Sequence, residues 1–272
     1  MVTTLEANRR VHARLSDVYE ATEPHFRPEN QAKVRARLAD VRAACPGGRL
    51  LDVGCGTGFV IRNAIGLFDD IHGVDITPEM MARIGPLPQP VRLHEARAEA
   101  LPFPDAAFDA VTAYSFLDHV DDIGAVLREM ARVLRPGGRA YIDLVPNRAF
   151  WRALQAVPLA QADALPAPLA REVRMVHANA EAVAAAHGVA VEDFVAAEPG
   201  KREGGLDPDT VEATALAAGF RTATTHHDWF LGQGAVLHGP DPAHADVVDA
   251  WLRGVLPVSR PLYKYLWFVL ER

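Results

Sequence analysis

The stretch Leu50-Leu-Asp-Val-Gly-Cys-Gly-Thr-Gly58 decides how the chain is read. An apolar run over residues 49–53 passes into three glycines, and over 59–67 apolar residues recur at helical intervals, which predicts a strand, a sharp turn and a helix. The glycines let the chain turn tightly and let a ligand reach backbone that side chains would cover, while the helix N-terminus offers unpaired N–H groups. Two common ligands fit this loop badly. A dinucleotide fingerprint needs a third glycine where Phe59 stands. A nucleoside triphosphate loop needs a terminal Gly-Lys-Ser/Thr, and no lysine lies nearby. The loop does have Asp52 two positions before it, and Asp75 at the end of the next apolar run. Asp75 is placed to accept both hydroxyls of a ribose, and Asp52 to organise backbone amides or a bound ammonium group.

Outward from the loop the alternation continues. Strands are expected over 71–76, 91–94, 108–114 and 139–145, with an amphipathic helix over 123–134 that stops at Pro136-Gly-Gly138. Five strands separated by helical patterns argue for an α/β fold with a parallel sheet covered on both faces. Two further strands, over 221–231 and 263–270, flank a stretch expected to hold a helix over 243–252, and a helix capped by Asp207 precedes them. Before the loop, Leu15, Val18 and Tyr19 share one helical face, and Val34, Leu38 and Val41 another after the Pro24 to Pro28 break. The organisation that follows is an N-terminal helical cap (1–45), a core (46–146), a helical insertion or substrate lid (147–206) and a C-terminal part of the core sheet (207–272).

Composition bounds the rest. With 272 residues, 49% hydrophobic and 23% charged, the chain is an ordinary folded protein with room for one large domain. Lys and Arg number 28 and Asp and Glu 35, a net charge of −7, which disfavours nucleic acid as the main partner. Cys45 and Cys55 form no disulfide framework and no structural zinc site, so a reducing cytoplasm is the expected compartment. The acidic first thirty residues do not resemble a signal peptide, and no stretch is long enough to span a bilayer. The arginine-for-lysine bias and abundant alanine suggest a bacterial source.

Four ordered motifs give a resemblance. The glycine loop, Gly73-Val-Asp-Ile76, Ala98-Glu-Ala-Leu-Pro-Phe-Pro-Asp-Ala-Ala-Phe-Asp109 and Met130-Ala-Arg-Val-Leu-Arg-Pro-Gly-Gly-Arg139 look like the class I S-adenosylmethionine-dependent methyltransferases, in their small-molecule, UbiE-like branch. The resemblance covers about residues 49–145. It implies a doubly wound, mostly parallel seven-stranded Rossmann-like sheet with a helical insertion after strand 5, and S-adenosylmethionine as cofactor. It further implies that Gly54 and Gly56 pack on the methionine moiety with Cys55 between them, Asp75 holds the ribose, and Ile76 lies on the adenine. Ala98 and Glu99 would border the adenine edge, and Tyr114 and Ser115 the route to the substrate. In that family an N-terminal segment closes over the cofactor, which places Tyr19 near the methionine carboxylate. One departure is Arg97, where the family has an acidic residue for the adenine amino group; another group, or the N–H of Ala98 or Glu99, takes that role.

The activity expected is methyl transfer to oxygen, nitrogen or carbon of a small organic molecule. The rivals are a protein of the same fold that keeps the cofactor for structure or catalyses a cyclisation or rearrangement, and an RNA methyltransferase, which would need a basic face. In-line transfer needs alignment and dryness, and a base only when the nucleophile starts protonated. His119 is the candidate base, or an imidazole that fixes its loop. Tyr19 either reaches the cofactor or packs its helix. Phe150, Trp151 and Met175 form either an apolar substrate pocket or core. His226 and His227 point to opposite faces of a strand, one exposed and one half-buried, so a metal pair is excluded. Cys55 lacks a basic partner and reads as chosen for size. The Lys201-Arg-Glu203 run reads as a solvated loop.

Asp75→Ala is expected to weaken S-adenosylmethionine binding by about 1.5–3 kcal/mol for each charge-assisted hydrogen bond lost. Calorimetric titration with S-adenosylmethionine and S-adenosylhomocysteine, with NAD as control ligand, measures this; unchanged affinity would remove Asp75 from the ribose site.

Overall fold

In a computed structural model of the chain, residues 2–178, 180–202 and 204–272 are described, those at 201 and 202 without side chains, so the run read as a solvated loop at 201–203 lies outside the described side chains. Helix α1 (Thr4–Leu15) opens on a capping box, in which the Thr3 hydroxyl accepts from the Glu6 N–H and the Glu6 carboxylate accepts from the Thr3 N–H. Helix α2 (Tyr19–Thr22), a 3-10 turn (Pro24–Phe26) and α3 (Pro28–Ala44) follow. The core then alternates β1 (Arg49–Val53), α4 (Phe59–Ala64), β2 (Asp70–Asp75), α5 (Pro78–Met81), β3 (Val91–Glu95), β4 (Phe108–Tyr114), α6 (Ile123–Val133) and β5 (Leu134–Pro146). Helices α7 (Arg148–Gln155), α8 (Ala167–Val176), α9 (Ala180–His187), α10 (Val191–Ala197) and α11 (Pro199–Arg202) form the insertion. The chain closes with α12 (Pro208–Ala217), β6 (Thr222–Phe230), α13 (Gln233–Leu237), α14 (His244–Gly254) and β7 (Tyr263–Glu271). Asp207 caps α12 by accepting from the Thr210 N–H.

The seven strands lie in the order β3-β2-β1-β4-β5-β7-β6, with β7 antiparallel to both neighbours and the other pairs parallel. This is the doubly wound, mostly parallel sheet expected, with helices inserted after β5. Central β4 is buried along its whole length, which is why it reads as a continuous apolar run and not as an alternation. One face packs on α6 and α12 through Val126, Leu127, Met130 and Val211. The other packs on α3 and α4, where Val34, Leu38 and Val41 supply the predicted stripe. Because β1 has β2 on one side and β4 on the other, the connections leaving β1 and β4 diverge, and a crevice opens at their carboxyl ends.

Three expectations change. Helix α1 buries Ala7 and Val11 against Ala197 of α10, while Val18 is exposed. Helix α1 therefore packs on the insertion and not directly on the sheet, so its buried stripe follows a partner that the local sequence does not contain. Strand β5 runs through Pro136-Gly-Gly138, read as a helix stop only, because the Gly137 N–H donates to the Arg272 carbonyl and the Arg272 N–H to the Gly138 carbonyl. The 232–262 stretch holds α13 as well as α14.

Charge ties α3 to the sheet. The Arg37 guanidinium donates to Asp143 on β5 at 2.7 Å and to Asp228 on β6 at 2.9 Å, and its plane lies 4.2 Å from the Trp267 ring of β7. Lys33 donates to Asp228 at 2.7 Å, and the Tyr141 hydroxyl donates to Asp143. The residue after each aspartate, Leu144 and Trp229, has φ of +57°, and its N–H donates back to that aspartate at 2.6 and 2.9 Å. The bulge between Ile142 and Val145 on β5 and the positive φ at Trp229 on β6 accompany the turn of both carboxylates toward Arg37. Burial pushes the Asp143 carboxyl up with Arg37 opposing it, whereas Lys33 and Arg37 outweigh burial and hold Asp228 below its ordinary value.

Arg37→Met leaves two buried carboxylates short of their main partner and is expected to destabilise the fold by about 3–5 kcal/mol, read by urea denaturation at neutral pH. A loss under about 1 kcal/mol would make the network a surface-grade contact.

Candidate active site

At the carboxyl ends of β1 and β4 a cavity of about 1070 Å³ opens over the glycine loop. The fold brings all twelve site residues picked from the sequence to its wall. Asp52, Gly54, Cys55 and Gly56 come from the first loop, Asp75 and Ile76 from the end of β2, and Ala98 and Glu99 from the segment after β3. Tyr114, Ser115 and His119 come from the end of β4 and beyond, and Tyr19 from the cap.

The loop is shaped by its neighbour strand. The Gly54 and Cys55 N–H groups donate to the Val74 carbonyl at 2.8 and 3.0 Å, and the Gly56 N–H donates to Asp75 Oδ2 at 2.8 Å. Gly56 has φ of +50°, a conformation that side-chain-bearing residues rarely take, and the ring of Phe116 fills the space that a side chain at Gly54 would need. Asp75 Oδ1 accepts the Thr77 N–H at 2.8 Å. Each Asp75 oxygen thus accepts a backbone amide from a different loop. Burial pushes this carboxyl up, and the Gly56 and Thr77 amides pull it back.

Asp52 differs from its expectation. It pairs in register with Thr112 of β4 and accepts the Thr112 hydroxyl at 2.7 Å, so it organises no loop amide. Only 2% exposed, its carboxyl is pushed by burial up to about 7, with Thr112 lowering and Asp75 raising it. The Cys55 Sγ lies over Gly73, and burial drives its thiol well above the ordinary range, which fits a residue selected for size and removes it as a nucleophile. The Thr57 hydroxyl is buried with no hydrogen-bond partner among the described residues, a polar atom left for a ligand. The residues present fit S-adenosylmethionine: a bare backbone cradle, a carboxylate and an orphaned hydroxyl on one wall.

The cap supplies the opposite wall. His25 is buried among Phe26, Phe59 and Tyr114, with ring centroids 4.7 to 5.3 Å away, and its Nδ1 has no hydrogen-bond partner among the described residues, with Glu23 Oε2 at 3.7 Å. Burial lowers its pKa to about 4, so it is neutral at physiological pH. The sequence placed His25 only as a cap residue, because nothing local shows that the Pro24 turn folds inward over α4. Burial likewise keeps the Tyr114 hydroxyl protonated. Arg97 turns its Nε to Glu99 at 3.5 Å on the cavity's adenine side.

His119 Nδ1 lies 3.1 Å from Asn8 Oδ1 and 3.2 Å from the Ala197 carbonyl, so the imidazole does hold its loop. It also borders a second cavity of about 770 Å³, which shares His12, Tyr19, Ser115 and His119 with the first. The remaining walls include Val11 and Leu15 of α1 and His187, Phe194, Ala197 and Glu198 of the insertion. Phe150, Trp151 and Met175 line neither cavity: the first two sit in the insertion's own core beside Leu154 and Val173, and Met175 is exposed. His226 and His227 are remote as well. His226 stacks on Trp267 at 3.8 Å, and His227 is buried beside Tyr263, so neither is exposed as expected; α3 and α14 cover β6 from its two sides. Among the described residues no group of three or more His, Cys, Asp or Glu is arranged to hold a metal ion.

Residues 51–142 match the methyltransferase domain family. They belong to the class I S-adenosylmethionine-dependent methyltransferases. S-adenosylmethionine is the methyl donor of this family. The chain is 37% identical over 131 residues to the 27-O-demethylrifamycin SV methyltransferase of Amycolatopsis mediterranei, covering 44% of this chain and 48% of that one. It is 39% identical over 103 residues to the demethylmenaquinone methyltransferase of Lysinibacillus sphaericus, covering 35% of this chain and 44% of that one. The chain thus spans about half the length of the curated relatives it matches. The 4+2 cyclase SpnF shares the fold with a TM-score of 0.60 at 18% identity, covering 100% of this chain and 97% of that one. The cyclopropane synthase MmaA2 of Mycobacterium tuberculosis does so with a TM-score of 0.57 at 18% identity, covering 97% of each chain.

Asp52 gives a pH signature. A bound cation favours the ionised carboxylate, so cofactor binding releases a proton and weakens as pH falls below about 7. Calorimetry between about pH 6 and 8 is expected to show this slope in the wild type, and weaker, flat binding in Asp52→Asn. In the free protein the raised carboxyl works the other way: its stabilisation is complete below the unfolded value of 3.8 and is lost as pH rises through about 7. Equal binding slopes in both proteins would place the linked proton elsewhere.

Proposed function

We propose that the protein transfers the methyl group of S-adenosylmethionine to a small organic molecule held in the second cavity. The observation that carries this reading is the wall shared by the two cavities, His12, Tyr19, Ser115 and His119, across which donor and acceptor can be aligned in line. Gly54, Cys55, Gly56 and Asp75 hold the methionine and ribose portions, with Asp52 as the counter-charge. Ile76, Ala98 and Glu99 border the adenine, and Tyr19, Tyr114 and Ser115 close the methionine end. The relatives named for 27-O-demethylrifamycin SV and demethylmenaquinone support a small organic acceptor.

The cap at 1–45 and the insertion at 147–206 act together as the lid, a role supported by the apolar cluster of Ala7, Val11 and Ala197 between them. The described lining of the second cavity contains Glu23 and Glu198 and neither Lys nor Arg, which favours an uncharged or cationic acceptor over one bearing phosphate or carboxylate. His119 serves as base when the acceptor starts as O–H or N–H. A net charge of −7 argues against RNA as the acceptor, and the two free cysteines suit a cytoplasmic setting.

Incubation with methyl-labelled S-adenosylmethionine and a panel of neutral and cationic phenols and amines is expected to give labelled product and equimolar S-adenosylhomocysteine. His119→Gln is expected to lower turnover by about 100-fold or more without changing cofactor affinity. Consumption of a substrate without S-adenosylhomocysteine would replace methyl transfer by the cyclisation reading.

A further inference from the structure

His119 stands where cap, core and insertion meet, and its Nδ1 faces two oxygen acceptors, Asn8 Oδ1 at 3.1 Å and the Ala197 carbonyl at 3.2 Å. The orientation of the Asn8 amide is set independently. Its Nδ2 donates to the Thr4 carbonyl at 3.1 Å and to the His119 carbonyl at 2.9 Å, so a flipped amide would point oxygen at two oxygens. Asn8 is 5% exposed, so leaving either of these bonds unmade costs its desolvation. A lone pair on His119 Nδ1 would likewise face two lone pairs. The single hydrogen of the neutral imidazole therefore sits on Nδ1, and Nε2 carries the lone pair. Nε2 makes no hydrogen bond with the described residues and has Asp118 Oδ1 at 3.9 Å, while the ring borders both cavities.

We infer that Asn8, with the Ala197 carbonyl, is a positioning residue that sets the His119 tautomer and so presents Nε2 to the acceptor. This rests on the reading of His119 as the base. In the step it serves, the acceptor O–H or N–H proton passes to Nε2 and an acceptor lone pair forms the bond to the methyl carbon. The C–S bond breaks with its electron pair remaining on sulfur, which leaves neutral S-adenosylhomocysteine, methylated acceptor and an imidazolium. That cation keeps both Nδ1 hydrogen bonds and lies near the Asp118 carboxylate. Around the ring stand Asp118 and Asp121 from its own segment, His12 and Asn8 from α1, Tyr19 from α2, and His187 and Glu198 across the second cavity. Because Asn8 belongs to the cap and Ala197 to the insertion, the tautomer is set only when both lid parts are seated on the core.

The test is nitrogen NMR of the full chain with labelled histidine, saturated with S-adenosylhomocysteine at about pH 8, with His119→Gln identifying the resonance among the 11 histidines. The wild type is expected to show a protonated Nδ1 and an unprotonated Nε2 for His119. Asn8→Leu, close in size, is expected to move that resonance toward the Nε2–H form while cofactor affinity stays within about twofold, and to lower kcat at least about tenfold as part of what a positioned base contributes. An Nε2–H tautomer in the wild type overturns the inference, and needs no variant to fold. An Asn8→Leu spectrum identical to the wild type also overturns it. Full turnover in His119→Gln, with the tautomer and its response to Asn8→Leu as expected, would instead remove the base reading and leave the positioning intact.

Discussion

One carboxylate at the rim of a diverging sheet organises the rest of this structure. Asp75 takes the Gly56 and Thr77 amides on its two oxygens, and so joins the loop after β1 to the turn after β2. Buried, it stays useful only because both donors lower the cost of its charge. The left-handed glycines then follow from geometry. A chain that donates Gly54 and Cys55 to Val74 and Gly56 to Asp75 within three residues has no room for side chains on the cavity side. What the cavity meets there is bare backbone.

The second constraint is electrostatic and lies at the far end of the sheet. Arg37 joins α3 to β5 and β6, and both carboxylates precede residues of positive φ, Leu144 and Trp229. The Asp143 carbonyl also accepts the Ser115 N–H, so this network reaches within one residue of the cavity wall. Ser115 itself has φ of +50°, a strained backbone at the point where the two cavities meet. The anchoring of α3 thereby positions the cap segment before it, which carries Tyr19, His25 and Phe26 over the glycine loop. Charge balance inside the cavity is one-sided. Asp52, Asp75, Glu99 and Asp121 line it against Arg97 alone among fixed cations of the described lining, and a low-dielectric site so charged suits a sulfonium donor.

The local readings that held are those where chemistry and spacing coincide within a few residues. Strands β1 and β4, the Asp207 cap and the Val34, Leu38, Val41 stripe depend on short-range period and capping, and the twelve cavity residues all sit at strand ends or in the loops between them. The readings that changed or stayed open depend on partners far along the chain. The buried stripe of α1 is set by α10, Phe150 and Trp151 take the core alternative while His187 and Phe194 wall the second cavity, and His25 lines the first because the Pro24 turn packs over α4. Asp52 looked like a loop organiser and is instead the strand partner of Thr112, a contact created by pairing across 60 positions.

By itself the sequence determined the sheet, its turn chemistry and the residues that line the cavity at the strand ends, because parallel-sheet order makes the ends of β1, β2 and β4 converge whatever their helices do. Only the tertiary structure decided which faces of the cap and insertion meet, and hence the shape of the second cavity and the two oxygens that face His119 Nδ1. Those depend on carbonyl and amide groups brought together from α1 and α10, whose separation in the chain leaves no periodic trace for a sequence to carry.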